Sequence, residues 1–216
     1  MSAATVAWFA VAGGFAVGDW WAVGRDRRLL EYVCKPGATA ALLGAAATLP
    51  GAPGATQTWF LVALALCLAG DVFLMLPENA AGHDGFVPGL ASFLLAHVAF
   101  TLGFLARGVT GGGVALGAAL VLVVASPLAV RFVRALRRSA RRELVGPVLA
   151  YLVAIGATAA TAVGAGDGWG IAGAWLFVAS DALIAETRFV GTRRGAPVAI
   201  MVTYYLALAG LVASLH

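Results

Sequence analysis

The sequence predicts an all-α membrane protein, a bundle of eight transmembrane helices with both termini on the outer side. Of its 216 residues, 62% are hydrophobic and 11% are charged, and the mean hydropathy is +0.94. The apolar residues form long runs, and no polar stretch is long enough for a separate soluble domain. Lysine and arginine concentrate in alternate loops. We therefore expect residues 1–216 to form one transmembrane domain.

The apolar runs divide into eight spans. A helix needs roughly 20 apolar residues to cross a hydrocarbon core of about 30 Å. The predicted spans cover residues 3–22, 34–50, 57–76, 86–106, 111–131, 145–164, 168–187 and 196–215. The first run is about 20 residues long with no basic region before it, so it is predicted to be a retained span and not a cleaved signal peptide.

The basic residues predict the orientation, because cytoplasmic loops of membrane proteins are enriched in lysine and arginine. Of the 14 basic residues, 13 follow spans 1, 5 and 7, and Arg107 alone falls on the other side. The net charge of +4 therefore indicates contact with anionic lipid headgroups, and we expect no nucleic-acid partner. The predicted location is an inner (plasma) membrane of the bacterial type.

Three aspartates, Asp19, Asp71 and Asp181, lie inside apolar spans. A carboxylate in hydrocarbon is costly, so such residues usually face a bundle interior and take part in transport or chemistry. In the predicted topology all three lie roughly 4–9 Å from the cytoplasmic ends of their spans, at 1.5 Å per residue. This depth predicts a shared polar layer, and hence an active site, near the cytoplasmic face. Asp71 and Asp181 are the stronger candidates, since neither has a counter-charge within one helical turn.

Further polar side chains approach the same layer from other spans. They are Lys35, His97, Ser180, Tyr204 and Tyr205. Structural alternatives accompany several of these residues. Asp19 could pair with a loop arginine at the headgroups, and Lys35-Pro36 could simply open a helix or meet a headgroup. His97 could be a hydrogen-bonded core histidine.

The cysteines and histidines argue against a metal framework. Cys34 and Cys67 have no paired spacing and are predicted to be packing residues. Of the three histidines, His216 is terminal and His83 falls in a loop, so a three-histidine zinc site is not expected. A site made of Asp71, Asp181 and His97 stays an alternative. The preferred expectation is no metal and no cofactor.

Five segments in order resemble the lysoplasmalogenase family of YhhN-like membrane proteins. They are Tyr32-Val33-Cys34-Lys35-Pro36, Gly70-Asp71-Val72-Phe73-Leu74-Met75-Leu76, Phe86-Val87-Pro88-Gly89-Leu90 with Phe93 and His97, Gly173-Ala174-Trp175-Leu176-Phe177-Val178-Ala179-Ser180-Asp181, and Tyr204-Tyr205-Leu206-Ala207. The resemblance spans nearly the whole chain. It implies a hydrolase that cleaves the vinyl ether of 1-alkenyl-glycerophosphoethanolamine or 1-alkenyl-glycerophosphocholine to a fatty aldehyde and a glycerophospho-alcohol.

Two buried carboxylates suit that reaction. A vinyl ether is hydrolysed by protonation of its β-carbon, and water then captures the oxocarbenium ion, much as in glycosidases. Apolar surroundings favour the protonated form of one carboxyl group as the acid, while the second stays ionised. Asp71 and Asp181 are the predicted pair, in either order of roles, with His97 positioning water.

The substrate-binding prediction follows from the same layer. Lys35 would hold the phosphate, and Tyr204 or Tyr205 would donate to the glycerol or ether oxygen, with Ser180 and Asp19 nearby. The predicted partners are a lysophospholipid substrate and membrane lipids. The oligomeric state stays open, because the Gly14 to Gly18 spacing serves packing within a bundle as well as between protomers.

Two other function classes remain open at this point. A proton-coupled transporter of a small molecule or lipid would also bury aspartates, although its site usually lies at the midplane between repeats. A hydrolase of a different lysophospholipid would use the same residues, because headgroup and chain selectivity depend on the shape of the cavity.

Overall fold

The described part of the chain folds into eight long helices, as the sequence predicts. The computed structural model describes residues 2–50, 54–76, 85–191 and 193–216, and within them it contains eight α-helices, a short 3-10 helix and no strand. The helices are α1 (Ala3–Gly24), α2 (Arg28–Thr48), α3 (Gly54–Met75), α4 (Phe86–Arg107), α5 (Gly111–Arg138), α6 (Val145–Ala165), α7 (Gly168–Phe189) and α8 (Ala196–Ala213). The all-α class and the predicted number of helices are confirmed.

The helices are long and apolar enough for a membrane. Among the described residues, seven helices have both the length and the hydropathy to cross a bilayer, and α2 is the exception. The first two turns of α2 carry Arg28, Glu31 and Lys35, which lower its hydropathy. The protein is therefore an integral membrane protein.

Seven helices close a ring, and one packs outside it. Contacts run from α1 through α2, α3, α4, α6, α7 and α8 and back to α1, while α5 lies against α6 and α7. Large aromatic side chains fill the interior, with Phe60, Phe100 and Phe177 fully buried. Polar groups on the ring's inner faces are thereby shielded from lipid.

Contacts near the helix ends show that α1 and α2 run antiparallel and that α5 and α7 run parallel. At one end the Thr5 hydroxyl donates to the Thr48 carbonyl oxygen at 2.8 Å, which joins the start of α1 to the end of α2. At the other end Arg131 of α5 pairs with Glu186 of α7. We call this second end, where α1, α5 and α7 finish in arginine-rich turns, the basic end.

Two helices extend further toward the basic end than the hydropathy predicts. The predicted span 34–50 corresponds to α2, which already begins at Arg28. The predicted span 111–131 corresponds to α5, which continues as far as Arg138. Lys35 and Pro36 therefore lie inside α2, and their interpretation as a helix start is wrong. Charged residues are tolerated in these extensions because the extensions lie beyond the apolar length that the hydrocarbon core requires.

Candidate active site

Asp71 is held by donors from two other helices. Its carboxylate, 1% exposed, accepts hydrogen bonds at Oδ2 from the hydroxyls of Thr39 in α2, at 2.6 Å, and of Tyr204 in α8, at 2.9 Å. Lys35 Nζ lies 4.0 Å from Oδ1, and the lysine is itself buried. Lys35 therefore faces Asp71 and not a headgroup. Two of the predicted residues, Lys35 and Tyr204, meet at this aspartate.

Asp19 forms a second pair with a tyrosine. It is fully buried in α1, and the Tyr205 hydroxyl donates to its Oδ2 at 2.7 Å. Within the described part of the chain, Asp19 Oδ1 has no hydrogen-bond partner. The nearby Arg25 instead lies over the Trp21 ring, 5.7 Å from its centre. Pairing of Asp19 with a loop arginine, the alternative kept open from sequence, is therefore not what the structure adopts.

Asp181 of α7 contacts side chains of two other helices, a tyrosine of α6 and a histidine of α4. The Tyr151 hydroxyl of α6 donates to Asp181 Oδ2. His97 Nε2 of α4 lies 3.4 Å from the same oxygen. The Thr158 hydroxyl lies 3.3 Å from His97 Nδ1 and donates to the His97 carbonyl oxygen at 2.9 Å. Of the two predicted catalytic aspartates, Asp181 is therefore the one that His97 contacts.

An aromatic layer lies between the clusters of Asp71 and Asp181. The Phe177 ring centre is 5.6 Å from that of Tyr204 and 4.5 Å from that of His97. Phe93 packs against both Phe177 and Tyr204. The predicted acid–base pair therefore belongs to two neighbouring polar clusters, and the contacts of the described residues do not join the two carboxylates directly.

Asp181 differs from the other two aspartates because it lines a groove. The groove runs between α4, α5, α6 and α7, with an empty volume, including its open side, of about 870 Å³. Among the described residues that line it, Asp181 is the one charged side chain, and Tyr151 lies beside it. The other walls are apolar, from Trp175 and Val121 at one end to Phe86 and Phe189 at the other. The groove therefore presents a carboxyl group on an otherwise apolar wall.

Ser180 serves a packing role in this arrangement. It is fully buried, and its hydroxyl donates to the Ile200 carbonyl oxygen of α8 at 3.2 Å. One residue is about 100° of helix rotation, so Ser180 faces α8 while its neighbour Asp181 faces α4 and α6. The structure does not bring this predicted binding residue to the groove.

Three hydroxyl residues of the clusters were not predicted from sequence, namely Thr39, Tyr151 and Thr158. Thr39 follows Lys35 by four residues and so shares its helix face. Tyr151 and Thr158 are seven residues apart on α6, which again places them on one face. These spacings are the only sequence features that could have identified the three residues. Hydroxyl residues at such intervals are common in helices, so the spacings alone did not single them out.

The described side chains offer no obvious metal centre. Among them, no group of three or more histidine, cysteine, aspartate or glutamate residues is close enough to hold a metal ion. Asp71 lies apart from Asp181 and His97, so the alternative three-residue site is not assembled. His83 lies outside the described residues. Cys34 and Cys67 are both buried and not joined in a disulfide, as their packing role predicts.

The chain matches the YhhN family over residues 30–215. This chain belongs to the YhhN family. The YhhN match covers Lys35, Asp71, His97, Tyr151 and Asp181, and it begins after α1. Asp19 therefore lies outside the part of the chain that the family match covers.

Two curated proteins similar to this YhhN chain carry the name lysoplasmalogenase. They come from Mycobacterium bovis and Mycobacterium tuberculosis, and each is 36% identical over 158 residues, or 71% of this chain. The aligned region is 58% of each relative, so the chain spans little more than half of their length. No solved structure matches this chain.

Proposed function

We propose that this protein is a membrane-embedded hydrolase that cleaves the vinyl ether bond of lysoplasmalogens, which are 1-alkenyl-glycerophosphoethanolamine or 1-alkenyl-glycerophosphocholine. The observation that carries the proposal is the position of Asp181 and Tyr151 on the wall of an apolar groove. The names of the two mycobacterial relatives support the choice of reaction. Other lysophospholipids would place their ester at the same point and are the first alternative.

Asp181 is the proposed general acid. Its contacts with Tyr151 and His97 both involve Oδ2, so Oδ1 is left to carry the acid proton. Transfer of that proton to the vinyl β-carbon produces an oxocarbenium ion on the α-carbon. Water adds to this carbon and gives one proton to His97, which passes it to the neighbouring Asp181. The hemiacetal then breaks its bond to the glycerol oxygen while its hydroxyl proton moves to that oxygen, which releases the aldehyde and the alcohol. The net reaction consumes one water and returns the proton to Asp181.

His97 is proposed to position and deprotonate the attacking water. It lies beside Asp181 Oδ2, and Thr158 at Nδ1 limits its rotation. A correctly placed base of this kind contributes about 10²–10⁴-fold to a rate. The imidazole is fully buried, so water would reach it through the groove.

Asp71 is proposed to supply the second, ionised carboxylate. Thr39 and Tyr204 donate hydrogen bonds to it, and Lys35 provides a counter-charge, all of which stabilise the charged form. Its negative charge would act on the oxocarbenium ion across the Phe177 layer, where low polarity strengthens electrostatic effects. Tyr205 and Asp19 extend this polar layer toward α1.

We also propose that the site faces the cytoplasmic side of a plasma membrane of the bacterial type. The support is the one-sided distribution of basic residues, 13 against 1. The substrate would then enter the groove from the cytoplasmic leaflet.

The test is aldehyde release from 1-alkenyl-glycerophosphoethanolamine by the purified protein, with and without a chelator. We expect Asp181→Asn to lose about 10²–10⁴-fold in rate, as for removal of a general acid, and Asp71→Asn to lose activity as well. The matched control is Asp26→Asn, because Asp26 is exposed and asparagine tolerates its positive φ of 53°. Chelator is expected to leave the rate unchanged.

Two outcomes would contradict this proposal. Full activity in Asp181→Asn would remove Asp181 as the acid. No aldehyde from folded wild type would move the function to another lysophospholipid or to transport.

A further inference from the structure

The groove beside Asp181 ends among arginines at the basic end of the bundle. The Arg188 guanidinium lies 4.7 Å from the centre of the Phe86 ring, which itself lines the groove. Arg131 adjoins the lining residue Phe132 in α5 and makes two hydrogen bonds to Glu186, of 2.8 and 2.5 Å. Together with Arg193, 3.6 Å from Glu186, these form what we call the arginine rim. The rim thus consists of three guanidinium groups, and two of them, those of Arg131 and Arg193, share the Glu186 carboxylate.

The rim lies at a defined distance from Asp181. Arg188 follows Asp181 by seven residues, which is two helical turns, so both residues lie on one face of α7 about 10 Å apart along its axis. On the other side of Asp181 the lining continues for six residues to Trp175, about 9 Å further. The groove therefore has an anion-attracting end, a carboxyl group near its middle and an apolar end.

We propose that the arginine rim binds the phosphodiester of a single-chain lysophospholipid whose hydrocarbon chain lies in the groove, an inference that rests on the proposed function. In a lysoplasmalogen, seven covalent bonds separate the vinyl β-carbon from phosphorus, and at about 1.2 Å per bond of extended chain they span roughly 8 Å. This length places the vinyl ether at Asp181 when the phosphate reaches Arg188. The same binding mode positions the substrate, and it makes lipids that carry the phosphate bind more tightly than phosphate-free lipids with the same chain.

The rim suits a phosphate better than Lys35 does. Guanidinium groups bind phosphate and carboxylate oxygens in the same two-pronged geometry, and Arg131 already holds Glu186 in this way. A phosphate can replace that carboxylate. Lys35, in contrast, is buried beside Asp71, behind the Phe177 layer as seen from the groove. The rim therefore takes over the phosphate role that the sequence assigns to Lys35.

The test is equilibrium binding of two lipids that the proposed reaction cannot cleave, 1-alkyl-glycerophosphoethanolamine and 1-alkylglycerol, which lacks the phosphate. We expect Arg188→Gln to weaken binding of the phospholipid by roughly tenfold or more, the usual cost of a lost charge-assisted hydrogen bond. Binding of 1-alkylglycerol should be unchanged. Arg28→Gln, at the exposed start of α2, is the control and should bind both lipids like wild type. Equal loss for both lipids, or no loss for either, would overturn the proposal.

Arg131 and Glu186 provide an independent check. If their pair only bridges α5 and α7, Arg131→Gln and Glu186→Gln will weaken phospholipid binding equally. If the rim binds phosphate, Arg131→Gln weakens it while Glu186→Gln preserves or strengthens it, since a competing carboxylate is gone. Neither ligand is cleaved, so binding can be measured independently of the reaction. Phosphate-dependent binding without aldehyde release would contradict the proposed function but would still support phosphate binding by the arginine rim.

Discussion

Each of the three aspartates predicted to form the polar layer accepts a hydrogen bond from a tyrosine on another helix. Tyr205 donates to Asp19, Tyr204 to Asp71 and Tyr151 to Asp181. A buried carboxylate without a donor costs free energy, and a phenol supplies the donor without adding a charge. Each tyrosine hydroxyl is therefore expected to matter more for function than for packing.

Tyr151→Phe tests this expectation at the groove. The substitution keeps the ring but removes the donor that orients the Asp181 carboxyl group. We expect kcat for aldehyde release to fall at least about tenfold, with a smaller change in KM, because a misoriented acid impairs the chemical step more than binding. The control is Tyr32→Phe, at an exposed site on α2. An unchanged kcat in Tyr151→Phe would exclude a positioning role.

Thr39→Val tests the polar cluster around Asp71. Valine has nearly the shape of threonine but cannot donate the 2.6 Å hydrogen bond to the carboxylate. We expect the free energy of unfolding to fall by about 1–3 kcal/mol, as when a buried acceptor loses its donor. The measurement is thermal unfolding in detergent, and Thr39→Ser should recover most of the loss. Equal loss in both variants would assign the effect to packing.

At the scale of helices, backbone contact at glycine determines how closely α7 and α8 approach. A Cβ atom on Gly173 would lie 2.6 Å from the Leu211 backbone nitrogen and 2.7 Å from the Ala207 carbonyl oxygen. A Cβ atom on Gly210 of α8 would in turn lie 3.0 Å from the Cα atom of Gly173. Small residues allow this close packing in membranes, where the hydrophobic effect does not drive helices together. This contact keeps α7, which carries Asp181, next to α8, which carries Tyr204.

Gly173→Ala is expected to destabilise this contact, because both clashing atoms belong to the backbone and cannot rotate away. The expected loss is about 1–3 kcal/mol of unfolding free energy, the usual cost of overpacking. Gly13→Ala in α1 is the matched control, since its Cβ would meet nothing within 4 Å. It should be neutral or slightly stabilising, by up to about 1 kcal/mol, through helix propensity. The measurement is thermal unfolding of both variants. Equal midpoints would contradict the role of Gly173 in the close packing of α7 against α8.

The ends of the helices were the least predictable feature at this scale. Hydropathy detects the apolar length that a bilayer requires, but it does not detect a helix that continues beyond it. The six residues from Arg28 to Val33 in α2, and those beyond Arg131 in α5, are helical despite their charges. This difference moved Lys35 from the edge of a helix to its interior, and so changed its partner from a lipid to Asp71.

At the scale of the whole molecule, the predicted topology has both termini outside and the basic end in the cytoplasm. Labelling with a membrane-impermeant thiol reagent tests it. Gly112→Cys, at the start of α5, should react in intact cells, and Ser139→Cys, at the end of α5, only after permeabilisation. Both positions are exposed, and both natural cysteines are buried, so background labelling should be low. The reverse pattern would invert the orientation and place the site near the outer face.

The sequence by itself determined the class of protein, the number of helices and the main candidate site residues. Long apolar runs leave few alternatives to membrane helices, and a charge such as Asp71 or Asp181 inside such a run is conspicuous because lipid penalises it. These signals depend on composition along one helix. They need no knowledge of which helices touch.

Only the tertiary structure decided how those residues are grouped. His97 pairs with Asp181 and Lys35 with Asp71, while Phe177 separates the two carboxylates. Such pairings depend on the rotation of each helix about its axis and on close approaches such as that of Gly173 to α8. Packing of many side chains at once sets both, and no single segment encodes them. For the same reason Tyr151, in an alanine-rich helix, could be connected to Asp181 only in the folded molecule.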